Sequence, residues 1–484
     1  MNERVNRAIH ALTTLELKKG DRVGILAYNC PQYFEVFTLS RVGLISVPLN
    51  YRAVGKELTY FINDSEIKVL ILEKEFLDRV RSVHSEIPCV RYFICLDGHP
   101  GDMLSDEEMV AREPASRPRE TASPEDPCIL FYTSGTTGRP KGAIHTQKSI
   151  LAETRVPYRD LDSDDVALCV MPFFHVGGSA AHLFPAYAVG ATLVIQKKFD
   201  ETLVLKAFAE QKVTHVYLVP AMIMRVLEHL RLGEYDLRSL RTIAYTRASM
   251  PIEVLKQGIA KLGSVFIQFL GQTESLDMTV LRKHEHRLSG TVTEMRRLES
   301  AGRPPSDGEL RIVDEQGQEV APGQVGEIVA RSDRMMKVYW KSPEETAETI
   351  QDGWLHTGDL AKMDEDGYVY IVDRKKDVII SGAENIYSRE IEEVLHIHPA
   401  VLEAAVVGVP DLHWGESVKA IVVLKPGVAA SEQEIIEFCK GYLASYKKPR
   451  SVEFWDALPR TGSGKVRKNK IRERFWQGHS KRVH

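Results

Sequence analysis

The stretch Cys128-Ile-Leu-Phe-Tyr-Thr-Ser-Gly-Thr-Thr-Gly-Arg-Pro-Lys-Gly142 decides the fold. Cys128–Tyr132 reads as a strand, and it empties directly into a loop with three glycines, four hydroxyls and a lysine. Such a loop offers backbone N–H groups and hydroxyl donors to phosphate oxygens, with Lys141 adding charge. No G-x-x-x-x-G-K-[ST] frame fits, so it is not a Walker A loop. A flexible Ser/Gly linker is the bland alternative, but linkers seldom hold a Pro-Lys-Gly ending between two strand-like segments.

Outward from that loop, strand-like and helix-like pieces alternate. Arg22–Ala27 reads as a buried strand, and Pro31 opens an amphipathic stretch to about Val42. Ile45–Val47, Val69–Leu72, Ala191–Ile195 and Thr214–Val219 are further apolar strands, with a helix around Thr202 to Gln211. This alternation predicts an α/β fold: a large N-terminal domain of several subdomains with mostly parallel sheets. Arg112 to Pro127, rich in Pro, Glu, Arg and Ser, predicts an exposed connector. After about Glu309 the texture turns to short strands, Leu310–Val313 and Val325–Val329, with turns at Glu315–Gly317 and Asp364–Gly367. The charged segment Asp373-Arg-Lys-Lys-Asp377 reads as a linker. Beyond it a small α+β domain is expected: helix Ser388–Leu395, strands Ala404–Val409 and Lys419–Leu424, and a helix from Ser431 to about Leu443. The expected domains are therefore 1–373 and 374–484, the second a mobile lid.

The 484 residues, at about 150 per domain, suggest roughly three units. Lys plus Arg total 63 against 67 for Asp plus Glu, a formal charge of −4, which argues against a general nucleic-acid binder. An apolar content of 43% and a charged content of 27% exclude bulk disorder. The six cysteines are scattered with no C-x-x-C pair, unlike a disulfide framework or a structural zinc site. Met1–His10 has no apolar signal region, and no apolar run reaches about 18 residues, so a cytoplasmic protein without a membrane span is expected.

A second loop, Pro459-Arg-Thr-Gly-Ser-Gly-Lys-Val466, looks like the close of a P-loop, but Val466 replaces the hydroxyl residue that would hold Mg²⁺. A mobile glycine loop presenting Lys465 describes it better. With these two loops, Asp352-Gly-Trp-Leu-His-Thr-Gly-Asp359 and Asp373-Arg374 stand in a recognisable order. The chain resembles the acyl-adenylating superfamily of acyl-CoA synthetases, luciferases and peptide-synthetase adenylation domains, from about Gly20 to Arg472.

The resemblance implies that a carboxylate is joined to the α-phosphate of ATP, releasing pyrophosphate, and that the acyl group then passes to a thiol. Thr133, Ser134, Gly135, Thr136, Thr137 and Lys141 match the pyrophosphate-binding loop. Leu270-Gly-Gln-Thr-Glu274 matches the Y-G-x-T-E motif, so Gly271, Gln272 and Thr273 would contact the nucleotide, with Glu274 and Thr136 on Mg²⁺. Asp359 matches the residue that accepts the ribose hydroxyls, and Arg374 the arginine that assists it. Lys465 matches the lysine poised between carboxylate and α-phosphate, where a cation offsets the repulsion of two anions. Lys376 matches the hinge of the lid, and Gly382 and Ala383 the CoA channel. His175, in Met171-Pro-Phe-Phe-His-Val-Gly-Gly178, matches the histidine at the mouth of the acyl pocket. Gly177, Gly178, Thr246, Arg247 and Leu270 would wall that pocket.

Departures are visible. Thr246-Arg-Ala-Ser249 stands where relatives usually read Gly-Gly-Ala-Pro, so Arg247 could meet a second polar group on the acid. Leu270 replaces a tyrosine, which removes a stacking partner worth about 0.5–1.5 kcal/mol. Ala383 replaces a glycine of the channel. Ser388 replaces a proline and reads as a natural N-cap for the helix after it. The chain also starts only about twenty residues before the strand at Arg22, so a trimmed start is expected.

The expected activity is an AMP-forming acyl-CoA synthetase for a fatty or other hydrophobic acid, using ATP, Mg²⁺ and CoA. The alternatives are a stand-alone enzyme that loads a carrier-protein thiol, and activation of an acid whose second polar group is read by Arg247. An amino-acid-activating module needs an aspartate for the substrate amine, and Phe173–Ala180 holds none. No nucleic-acid partner is expected, and a homodimer is compatible with the reading.

Overall fold

A computed structural model of the chain describes residues 2–99, 101, 103–133, 140–246, 250, 252–382, 384–460 and 465–477. They group into two compact units. One is built on the residues up to Thr133, Lys141–Glu309 and Ala330–Leu355, and the other on Leu310–Val329 and the residues from His356 onward.

The first unit carries two sheets. Strands β1 (Arg22–Leu26), β2 (Ile45–Pro48), β3 (Ile67–Leu72), β4 (Tyr92–Cys95), β5 (Leu104–Ser105), β6 (Pro127–Tyr132) and β7 (Gly142–Thr146) lie in the order β7-β6-β2-β1-β3-β4-β5. The short strand Val338–Tyr339 closes the β7 edge. Neighbours run parallel, except that β7 is antiparallel to both β6 and Val338–Tyr339. β1 is buried along its whole length, as a parallel strand covered on both faces must be. Its Gly24 leaves room for Ile67 of β3, whose Cδ1 would lie 2.6 Å from any added Cβ.

The second sheet holds β8 (Val166–Cys169), β9 (Thr192–Ile195), β10 (His215–Leu218), β11 (Thr242–Thr246), β12 (Phe266–Gln272) and β13 (Leu276–Leu281). Their order is β13-β12-β11-β10-β8-β9, parallel except for the β12/β13 pair. The α/β reading with mostly parallel sheets holds.

The amphipathic stretch after Pro31 resolves into a helix, Gln32–Phe37, and a 3₁₀ turn, Thr38–Val42, which Gly43 ends at φ 78°. Asn2–Thr13 is a helix that the sequence reading did not assign, because its charges interleave with single apolar residues. It buries Val5, Ala8, Ile9 and Leu12, and Arg4 donates to Glu35 at 2.6 Å and to Asp106 at 2.9 Å.

In the second unit, strands Trp354–Met363 and Val369–Arg374 form an antiparallel hairpin that places Asp359 opposite Arg374. A further sheet is built on the long antiparallel pair Val401–Asp411 and Gly415–Leu424. Ser451–Phe454 lies parallel to the second of these, and Ile379–Ser381 antiparallel. Helices Ser388–Ile397 and Glu432–Lys440 close over it, the latter started by a Ser431/Glu434 capping box. The core is aliphatic: Ile391, Leu395, Val406, Val418, Val422 and Ile435.

Ser388 does not cap its helix. Tyr387 takes the cap position without a side-chain bond, and Ser388 is the first helical residue, its hydroxyl donating to Asp373 instead. Within Asp373–Asp377, the segment read as a linker, two carboxylates are covered. Lys375–Asp377 form a 3₁₀ turn, and Asp373 and Asp377 are buried.

Among the described residues, no helix is long and apolar enough to cross a membrane. All six cysteines are free thiols.

Candidate active site

In the first unit β6 ends where the glycine-rich segment begins, and β7 starts where it ends. Tyr132 pairs with Gly142, and Thr133 N–H donates to the Lys141 carbonyl at 2.8 Å, closing the base of the loop. Ser134, Gly135, Thr136 and Thr137 lie outside the described residues, as do Arg247 and Ala383.

Lys141 Nζ sits 5.1 Å above the Tyr339 ring, and the Tyr339 hydroxyl donates to Glu274 Oε1 at 2.7 Å. The ring thereby carries the lysine on its face and the carboxylate at its hydroxyl edge. Met336 N–H donates to the Glu274 carbonyl at 2.7 Å, so Glu274 is fixed at both backbone and side chain. The Tyr339 hydroxyl is held protonated, since burial and the Glu274 charge push its titration upward.

Glu274 sits where it does because β12 and β13 meet in a very tight turn. Any Cβ on Gly271 would fall 2.2 Å from the Leu276 carbonyl oxygen, so only glycine fits. Gln272 N–H donates to Ser275 Oγ at 3.1 Å inside the turn. His145, fully buried on β7, donates from Nε2 to the Thr273 carbonyl at 2.7 Å. Burial pushes the His145 imidazole down to about 4, so it is neutral at physiological pH. Beneath the turn, Arg159 contacts Glu153 and bonds Asp277 at 2.7 Å, and Arg334 donates to the Asp277 carbonyl at 3.0 Å. All four charges are buried, so removing one partner would cost about 3–5 kcal/mol.

His175 occupies a tight turn after β8, half-buried, its ring 4.3 Å from that of Phe174. Asn29 clamps this turn from β1's side, donating to the Met171 carbonyl and accepting from Phe173 N–H, both at 2.9 Å. Gly177 and Gly178 are buried, and a Cβ on Gly178 would lie 2.2 Å from the Pro172 carbonyl oxygen. Thr246 ends β11, its hydroxyl donating to the Phe269 carbonyl at 2.8 Å. Leu270 is half-buried on β12. Behind these residues runs an apolar cluster that includes Met171, Tyr217, Ala244, Ile267, Phe269 and Val280.

In the second unit Arg374 Nε donates to Asp359 Oδ1 at 2.7 Å, and Asp359 is 5% exposed. Asp359 N–H donates to Thr357 Oγ1 at 3.1 Å, and Gly358 N–H to Glu327 Oε1 at 3.0 Å, which fixes the turn before it. Lys376 is half-buried next in line, and burial pushes its ammonium down to about 8. Gly382 N–H donates to the Trp414 carbonyl at 2.8 Å, and at φ +68° a Cβ there would meet the Trp414 ring at 2.5 Å. Lys465 is exposed beside the bridge Arg460↔Val466 that closes its loop.

The expected residues therefore gather in two groups, Lys141 with Thr273 and Glu274, and Asp359 with Arg374 and Lys376. Tyr339, His145 and Asn29 were not found from sequence. Tyr339 lies 65 residues from the glutamate it holds, and nothing in its neighbours marks it. His145 stands three residues beyond Gly142, where the quoted strand and loop end.

Comparison with known proteins identifies the family. Residues 1–340 match the AMP-binding enzyme family and residues 390–465 the AMP-binding enzyme C-terminal domain. The chain is 37% identical to a feruloyl-CoA synthase of an Amycolatopsis species, covering 98% of this chain and 93% of that protein. It is 34% identical to an indoleacetate–CoA ligase of Aromatoleum aromaticum, over 97% of this chain and 91% of the relative. Among solved structures, ATP-bound MatB from Rhodopseudomonas palustris matches with a TM-score of 0.89 at 29% identity, over 99% of this chain and 93% of that one. With the motifs, the fold and both family domains in agreement, the chain belongs to the AMP-binding enzyme family, within the acyl-adenylating superfamily of AMP-forming acid–thiol ligases.

Proposed function

We propose that the protein activates a hydrophobic carboxylic acid with ATP and passes the acyl group to CoA. A carboxylate oxygen of the acid attacks the α-phosphorus, the bond to the β-phosphate breaks, and pyrophosphate leaves. The CoA thiol then attacks the acyl carbonyl, loses its proton, and AMP departs. The Lys141–Tyr339–Glu274 cluster carries this reading, because it brings the lysine that ends the glycine- and hydroxyl-rich segment together with a fixed carboxylate.

Lys141 neutralises phosphate charge, and Asp359, held by Arg374, accepts hydrogen bonds from the ribose hydroxyls. Lys465 stands between carboxylate and α-phosphate during adenylation, and the lid turns about Lys376 before thiol attack. Mg²⁺ fits the donor set: a hard cation carried chiefly by phosphate oxygens and water needs few protein ligands, and Glu274 supplies one immobilised carboxylate. Bound with ATP, it would offset the charge that builds on the phosphates.

The apolar cluster behind His175, Thr246 and Leu270 supports a hydrophobic acid. The names of the feruloyl-CoA and indoleacetate–CoA relatives place aryl acids first in the test. Each methylene in such a pocket shifts discrimination by only about 1–3 kcal/mol, so the assay must be a panel. Pyrophosphate release is measured across aryl, fatty and amino acids, with and without CoA. Strong turnover of aryl or fatty acids that CoA accelerates supports the proposal. Turnover of amino acids alone, or indifference to CoA, overturns it. Pairing each fatty acid with its ω-carboxy analogue tests whether Arg247 reads a second polar group. Cytoplasmic residence belongs to the same proposal, as the setting in which ATP and CoA are available.

A further inference from the structure

Ser388, where relatives usually carry proline, is fully buried, and its hydroxyl is the centre of a polar bridge. It donates to Asp373 Oδ2 at 2.9 Å and accepts from Lys468 Nζ at 2.7 Å. Asp373 also accepts the N–H of Arg374 on Oδ1 at 2.7 Å, and Lys468 pairs with Glu392 at 2.7 Å. Four residues further along the same helix, Lys468–Phe475, Arg472 donates to Asp377 Oδ1 at 2.7 Å and to the Lys376 carbonyl at 3.1 Å. Positions four apart share one helix face, so this face grips the Lys375–Asp377 turn from both ends.

The two grips differ in kind. Arg472 and Asp377 both follow Lys376, so rotation about that residue leaves their bond intact. Asp373 precedes Lys376, whereas Ser388 and Lys468 follow it, so the same rotation must break the Asp373–Ser388 bond. The Ser388 hydroxyl therefore ties the strand ending in Arg374 to the helix that begins three residues after Lys465. Ribose and α-phosphate belong to one nucleotide, and Arg374 and Lys465 are the residues assigned to them, so the tied arrangement serves adenylation.

We infer that Ser388 is a positioning residue, a latch across the hinge whose hydroxyl holds the lid in its adenylate-forming arrangement. The inference rests on the hinge and lysine roles proposed above.

The test measures the two half-reactions separately in the full-length protein: ATP–pyrophosphate exchange for adenylation, and thioester formation from supplied acyl-AMP and CoA. Ser388→Ala and Ser388→Pro both remove the hydroxyl, and proline is tolerated at a first helical position. Both variants are expected to lose about tenfold in exchange, the scale of one hydrogen bond to a charged partner, while thioester formation holds or rises. Ser388→Thr, which keeps the hydroxyl, is expected to recover exchange. Equal loss in both half-reactions, no loss in Ser388→Pro, or failure of threonine to rescue a folded protein overturns the latch. Lys465→Ala separates this from the underlying reading. If it abolishes exchange while the Ser388 variants do nothing, the latch alone fails, and if exchange survives it, the lysine assignment fails first.

Discussion

Replacing Tyr339 with phenylalanine removes the oxygen that bonds Glu274 and leaves in place the ring under Lys141. The lost bond is a 2.7 Å hydroxyl–carboxylate contact, and hydrogen bonds to charged groups contribute about 1.5–3 kcal/mol. Glu274 is half-buried, so water can recover part of that loss, and the lower end applies: about 1.5 kcal/mol, close to tenfold. Tyr339→Leu removes the ring as well, and with it the surface under Lys141 Nζ, which adds about 0.5–1 kcal/mol. ATP–pyrophosphate exchange at varied Mg²⁺ and ATP is the assay. The expected order is wild type, then Phe about tenfold lower, then Leu a further two- to fivefold lower, with the Mg²⁺ requirement shifted upward in both. Thioester formation from supplied acyl-AMP should change little, because no pyrophosphate is then handled. Exchange within twofold of wild type in Tyr339→Phe, or equal losses in both half-reactions, would refute the reasoning.

Two further predictions concern the scaffold. Gly178→Ala forces a Cβ to 2.2 Å from the Pro172 carbonyl oxygen, so the turn carrying His175 must shift. Acid activation should fall about a hundredfold while ATP binding is retained, and an unchanged KM for the acid would contradict this. Burial holds His145, His215 and His286 down to about 4 and pushes His182 well down too, so each refuses a proton that its unfolded counterpart takes near 6.5. The stability each contributes is present above 6.5 and lost as the pH falls through 4. Glu35 and Asp106, pushed up by burial to about 7 and 6, act in the opposite sense, so the test must be residue-specific. At pH 5, ¹⁵N spectra of assigned histidines should show these four neutral, and a protonated His145 would contradict the assignment.

What sequence could and could not reveal follows from the range of each interaction. The loop after Cys128–Tyr132 was legible because its residues are contiguous, and a strand running into glycines and hydroxyls has few other uses. Asp359 and Arg374 were legible as motif members, and the structure pairs them because one hairpin sets them opposite each other. Tyr339 was not legible, since its role depends on the edge strand Val338–Tyr339 docking against β7. Ser388 was misread as a cap because serine before a helical run is a strong local signal. A half-buried lysine and a buried aspartate on other segments take up the hydroxyl instead, and the helix starts without that local bond. The Asp373–Asp377 segment read as a linker without a hint of its covered carboxylates, because Arg472, which bonds Asp377, lies 95 residues away.

The central claim is that one site performs adenylation and then thiol transfer, with Lys465 serving the first step. The measurement that tests it most directly is a half-reaction comparison of Lys465→Ala with wild type, using an acid that the panel identifies. Near-complete loss of ATP–pyrophosphate exchange with thioester formation from supplied acyl-AMP largely retained is the predicted result. Equal loss in both half-reactions, or exchange that survives, would contradict it.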